Sequence, residues 1–187
     1  MNENYLALFL MLGQTAEKKV RDVPDTVPAE SLLISRTFDL ALVLPNEVRI
    51  ATETAEVFRL FFVFENFLRE FVLGTLAEDD KENWWDKVPK DVRDEVEKLE
   101  QTEEIKAWMA LRSRDKLALS TLPQLLRIMD ERWKQEFEQI IRDKSLIQEA
   151  RHISHVRNAV CHMAEVPKEE VERVKQVMRD WFRVVAP

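Results

Sequence analysis

The sequence predicts an all-α helical bundle, and three observations carry that expectation. Only 2 of the 187 residues are glycine, and an antiparallel β fold needs glycine at the positive backbone angles of its tight turns. Apolar residues recur at three- and four-residue spacing along most of the chain, which is the period of a helix with one buried face. The prolines mark the ends of these periodic segments, where a residue without a backbone N–H stops one helix or starts the next.

The elements follow in order. The apolar run Tyr5 to Leu12 has no basic residue before it and no small-residue cleavage site in Gln14 to Lys19, so it reads as an opening helix and not as a signal peptide. Two prolines within Val23 to Pro28 mark a connection. A second helix is expected from Ala29 to Leu44, stopped by Pro45, and residues 1–45 thus form additional N-terminal helices. Asn46 is the expected N-cap of a long helix from Glu47 to Ala77. Its stretch Val57 to Phe71 is apolar on almost every side, so it is the central helix of the bundle or also supplies an intersubunit face. Glu65 and Arg69 stand four apart on it and share a face on which they can pair.

Beyond the charged turn Glu78 to Asn83, the adjacent Trp84 and Trp85 read as a plug closing one end of the core, with base stacking as the rival reading. Pro89 opens a short helix with Val92, Val96 and Leu99 on one side, and Trp108 bounds another short helical piece. Leu117 to Pro123 reads as extended. A helix from Pro123 carries Leu125, Leu126, Ile128, Met129, Trp133, Phe137, Ile140 and Ile141, with a break near Asp130. The helix Ser145 to Met163 buries Ile153, Val156, Val160 and Met163, and a last helix after Pro167 turns Val171, Val174, Val177, Met178, Trp181, Phe182 and Val185 inward. Residues 46–187 thereby make one bundle within a single domain, with Phe61, Phe64, Leu68, Val160, Val177 and Trp181 in its core.

Bulk properties narrow the function. No apolar run approaches the roughly 20 residues that cross a bilayer, so no membrane partner is expected. The single cysteine, Cys161, forms no internal disulfide, and a reducing cytoplasm suits it. A net charge of −7 opposes nucleic-acid binding, which is mostly electrostatic. The charge is unevenly spread: residues 78–106 hold 12 acidic and 6 basic side chains, whereas 107–163 hold 7 acidic and 10 basic, with all three histidines.

The basic part contains Arg157-Asn158-Ala159-Val160-Cys161-His162. Arginine offers a planar fork of donors to phosphate oxygens, and histidine exchanges protons near neutrality, so this group suits phosphodiester chemistry. On a continuous helix Arg151, His155, Asn158 and His162 share one polar face, while Arg157 lies roughly 140° from His162. Both reach one phosphate only if the helix unwinds near Cys161 or if a two-fold partner brings its own copy across a shared interface. Zinc binding by His152, His155, Cys161 and His162 lacks the paired ligand spacing such sites use. Cys161 is more readily a small apolar filler than a nucleophile.

The segment RNAVCH resembles the RNxxxH motif of the HEPN superfamily, compact all-helical domains found in many RNA-cleaving toxins and defence proteins. The resemblance covers the second half of the chain through the motif and the first half through its helical pattern. It implies a HEPN-like bundle that acts as a metal-independent endoribonuclease, with RNA as partner and no cofactor. His162 is then the general base or acid at the 2′-hydroxyl and the leaving 5′ oxygen, Arg157 stabilises phosphate charge, and Asn158 holds the imidazole or substrate. HEPN ribonucleases form composite sites in homodimers, which answers the angular mismatch. Related domains carry a polar or acidic residue on the central helix, making Glu65 a supporting candidate beside His155 and Arg151. The tyrosine that some HEPN toxins carry two residues after the motif histidine is replaced by Ala164, so neutralisation by modification there is not expected. Trp133-Lys134-Gln135-Glu136-Phe137 is similar to the branch attached to RNA-surveillance endonucleases and bacterial defence proteins, with an antitoxin or other regulatory protein as a further partner. The alternative is a non-catalytic HEPN module that binds RNA, a nucleotide or a protein.

Overall fold

A computed structural model describes residues 12–13, 29–79, 81–106, 108 and 115–185. The chain divides into two compact units, residues 1–51 and 52–187. The expected opening helix before Leu12, the Val23 to Pro28 connection and the neighbours of Trp108 lie outside the described residues.

In the first unit the helix expected over Ala29 to Leu44 is replaced by an antiparallel hairpin, β1 (Leu33–Ser35) and β2 (Phe38–Asp39), and a single turn, α1 (Leu40–Val43). Asp39 explains the difference. Its carboxylate accepts the N–H groups of Leu32 and Ala41, both at 2.9 Å, and the Ser31 hydroxyl at 2.7 Å. Such side-chain bonds to nearby backbone compete with a helix, and Ile34 and Phe38 suit extended chain. The Ser31 hydroxyl first, then the two backbone N–H groups, hold the Asp39 carboxyl below its usual range. Pro45, expected to stop a helix, is instead the first residue of α2 (Pro45–Leu76). Its fixed φ suits a helical first turn that needs no donor there.

The second unit is an all-α bundle built on α2. Phe61, Phe64, Leu68, Val72 and Leu76 recur at three- and four-residue steps and are buried. The last helix, α8 (Lys168–Val185), packs on them: Phe64 meets Trp181 edge-on at 6.0 Å between centroids, and Phe67 meets Phe182 at 4.8 Å. Trp181 Nε1 donates to the Leu146 carbonyl at 3.1 Å, so its one polar atom is satisfied in the core. Trp84 and Trp85 form a 3₁₀ turn (Trp84–Lys87) packed against the core, as a plug does, and Lys116 Nζ stands 5.0 Å from the Trp85 ring centre. Helix α3 (Lys90–Ile105) contributes Val92 and Val96. The six residues named for the bundle's core are buried, whereas Met163, expected on the buried stripe of its helix, lies past the helix end and is exposed.

The segment expected to be extended begins with a 3₁₀ turn (Lys116–Leu119), because the Asp115 carboxylate accepts the Leu117 N–H and folds the chain back. Helix α4 (Leu122–Glu131) starts with the Thr121 N–H donating to Gln124 Oε1 at 2.7 Å, the reciprocal half of a capping box. The expected break near Asp130 takes the form of a π turn (Trp133–Phe137) before the short α5 (Glu138–Ile141). The single helix expected over Ser145 to Met163 is two, α6 (Ser145–His152) and α7 (Ser154–Cys161). Ser154 Oγ donates to the Ala150 carbonyl at 3.3 Å, the acceptor its own N–H would take in an unbroken helix. Among the described residues no helix is long and apolar enough to cross a membrane.

Candidate functional site

Helix α7 turns Val156 and Val160 into the core, and these two residues fix the rotation of everything else on it. Arg157 follows Val156 directly, so it leaves the buried stripe at its edge and reaches α2. There its Nε donates to Glu65 Oε2 at 3.2 Å. Glu65 is only 7% exposed, and a buried carboxylate persists only where cations or donors surround it. The second cation is Arg69, whose Nη2 pairs with Glu65 Oε1.

Arg69 is itself fastened on three sides. Its Nε donates to the Leu117 carbonyl at 3.0 Å, Nη2 to the Ser120 carbonyl at 2.9 Å, and Nη1 to Asn66 Oδ1 at 3.0 Å. Asn66 Nδ2 in turn donates to the Phe62 carbonyl at 2.7 Å. Arg69 thus ties α2 to the Lys116–Leu119 turn and holds one oxygen of the Glu65 carboxylate while the other meets Arg157. One carboxylate between two guanidinium groups gives this cluster a net charge of +1. Arg157 is held by one edge only: neither of its terminal nitrogens has a partner among the described residues.

These groups line a cleft of about 210 Å³, whose wall consists of Phe58, Phe61, Phe62, Glu65, Asn66, Arg69, Arg157, Val160 and Cys161. Phe58 and Phe62 stay 51% and 60% exposed. The cleft therefore combines guanidinium donors that have no partner among the described residues with exposed aromatic faces.

The other sequence candidates lie elsewhere. Helix α7 ends at Cys161, and His162 is its exposed C-cap, with its N–H still on the Asn158 and Ala159 carbonyls at 3.0 and 3.1 Å. Met163 N–H to Val160 O and Ala164 N–H to Ala159 O complete a Schellman-type end, with Met163 at φ 60° where glycine is usual. Because the N–H of His162 keeps its helical partner, the chain end does not swing the imidazole toward Arg157, and His162 is not part of the cleft wall. Asn158, one turn earlier, is exposed. Neither of these two side chains has a hydrogen-bond partner among the described residues. Helix α6 draws Arg151 away to Asp130, 2.6 Å from its Nη2, and to Gln148 at 3.3 Å. Lys144 also reaches Asp130 at 2.5 Å, and its hydrogen bond is the main cause holding that carboxyl below its usual range. His155 is exposed, its Nε2 3.9 Å from Glu170 Oε2. Of the sequence candidates, then, the structure joins Glu65 to Arg157 and disperses Arg151, His155, Asn158 and His162. Among the described residues no three His, Cys, Asp or Glu side chains are grouped to hold a metal ion.

The sequence offered Glu65 as a supporting candidate able to pair with Arg69, but gave no site role to Arg69, Phe58, Phe62 or Asn66. The signal was present: Phe58, Phe62, Glu65 and Arg69 stand at offsets of 0, 4, 7 and 11, one stripe of α2. Its aromatic half was absorbed into the core reading of that helix.

A family model described as Swt1-like HEPN matches residues 59–186, which include Glu65, Arg69, Arg157, Asn158 and His162. Among curated proteins and among solved structures nothing matches the chain.

Proposed function

Because the chain belongs to the Swt1-like HEPN family, we propose that it is a metal-independent endoribonuclease whose site is completed by a second copy of the chain. The observation that carries this reading is the one-edged tether of Arg157. Glu65 holds its Nε while the terminal nitrogens have no partner among the described residues and Arg157 lines the cleft, an arrangement that suits a phosphate-holding arginine. His162, solvent-facing on a different side of α7, supplies the proton-transfer group from the partner copy.

In this mechanism the 2′ oxygen bonds to phosphorus and the bond to the 5′ oxygen breaks, leaving a 2′,3′-cyclic phosphate and a free 5′-hydroxyl. His162 acts as base toward the 2′-hydroxyl or as acid toward the 5′ oxygen, with water serving at the other position. Arg157 stabilises the charge that grows on the phosphate oxygens, and Asn158 holds the imidazole or substrate. His155 and Arg151 support at a distance, Arg151 by fastening α6 to α4 through Asp130. DNA lacks the attacking group and stays intact. The same reading makes the protein a toxin-type or defence-type effector of the cytoplasm, restrained by an antitoxin or other regulatory protein.

Incubation of the purified protein with mixed RNA in chelator tests the chemistry. Cleavage that ends in 2′,3′-cyclic phosphate and falls on the order of 10² or more in His162→Ala supports it. Intact RNA, or undiminished cutting by the variant, overturns it. The net charge of −7 favours a second reading, a non-catalytic module that uses the same cleft to bind RNA, a nucleotide or a protein; uncut RNA that is nevertheless bound selects it.

A further inference from the structure

We infer that Phe58 and Phe62 form a stacking site for an unpaired nucleobase of the RNA whose phosphate Arg157 holds, an inference that rests on the ribonuclease reading above. Both rings belong to one stripe of α2, one turn apart, with centroids separated by 6.4 Å and planes inclined by 33°. They are exposed, although the remainder of the helix buries its phenylalanines fully or in part. The same cleft wall holds Arg157 and Arg69. A nucleotide is a phosphate and a planar base joined through one sugar, and this cleft offers donors for the first beside apolar faces for the second.

Charge separates this occupant from a second copy of the chain packed on the same rings. An apolar protein face laid over the cleft would take the open nitrogens of Arg157 out of water without partners, a costly burial for a cation. A phosphate pairs with them while the base covers the rings. Stacking reads a π face that every base presents, so the site selects single-stranded over duplex RNA and tolerates many sequences.

The test uses the full chain with His162→Ala, which keeps bound RNA uncut, and a fluorescein-labelled single-stranded oligoribonucleotide of mixed sequence, alone and annealed to its complement. The single strand binds more tightly than the duplex, Phe62→Ala and Phe58→Ala each weaken single-strand binding roughly tenfold, and Phe62→Trp restores it. Light scattering on the same samples shows an unchanged oligomeric state. Equal affinity in the alanine variants overturns the stacking site alone. Loss of oligomeric state in those variants also overturns it and assigns the rings to a second copy. Failure of the parent to bind any RNA overturns the ribonuclease reading together with the inference.

Discussion

Arg157 sits at the edge of the buried stripe of α7, and its position there decides what each nearby substitution does. Its removal leaves the core untouched, so Arg157→Ala should lose on the order of 10² in cleavage rate while keeping its thermal midpoint within a few degrees. Arg69 behaves differently. It neutralises Glu65, which is only 7% exposed, and donates to two backbone carbonyls. Arg69→Ala removes one of the two cations on the buried Glu65 and takes the donor from the Leu117 and Ser120 carbonyls, and should cost roughly 3 kcal/mol in urea unfolding. The double variant Arg69→Ala, Glu65→Gln should recover part of that stability, because no carboxylate is then left buried beside the lost cation, while the Arg157 guanidinium at the cleft keeps contact with water. A stability loss in Arg157→Ala as large as that in Arg69→Ala would contradict this division of roles. The motif picked out Arg157, Asn158 and His162 as candidates because three polar types interrupt an apolar period, and of these Arg157 lines the cleft. The role of Arg69 was not legible, since its acceptors Leu117 and Ser120 lie about fifty residues away and a backbone carbonyl has no sequence signature.

Helices α6 and α7 meet at Ile153, and the join is held from outside by Asp130, which binds Lys144 at 2.5 Å and Arg151 at 2.6 Å. The Lys144 hydrogen bond chiefly, with Arg151 adding to it against the cost of burial, lowers the Asp130 carboxyl below its ordinary value. A lowered folded pKa means stability that is fully present above the unfolded value of about 3.9 and is lost as pH falls through the folded one. Asp130→Asn should therefore flatten the acid limb of the urea midpoint measured from pH 6 downward, and an acid limb as steep as the parent's would rule that pairing out. At the other end of α7, Met163 adopts φ 60° and is 89% exposed, so its side chain strains the backbone without packing. Met163→Gly should raise stability by about 1 kcal/mol. The helical periods of α2, α4, α7 and α8 were readable because each apolar stripe has a core to face. The hairpin at Leu33–Asp39 was not, because Leu33, Ile34 and Phe38 form a short apolar pattern that either structure accepts and the decision falls to the Asp39 carboxylate.

On the scale of the whole molecule, Glu65 and Arg157 meet inside one bundle while His162 is exposed and outside the cleft wall, so on the proposed reading one chain holds an unfinished site. Activity should then rise more steeply than protein concentration as dimers assemble from dilute solution, a dependence followed by RNA cleavage alongside light scattering. The fold class was legible from composition and period, whereas the proposed assembly has only the angular mismatch of Arg157 and His162 to signal it in the sequence. Mixing two inactive variants, Arg157→Ala and His162→Ala, tests the composite site most directly. In a mixed dimer one site recovers Arg157 from one copy and His162 from the other, and the opposite site has neither. With random exchange the mixture should regain about a quarter of the parent's cleavage rate. If mixed dimers form and the RNA stays as intact as with either variant alone, each copy needs its own Arg157 and His162, and the composite site is contradicted.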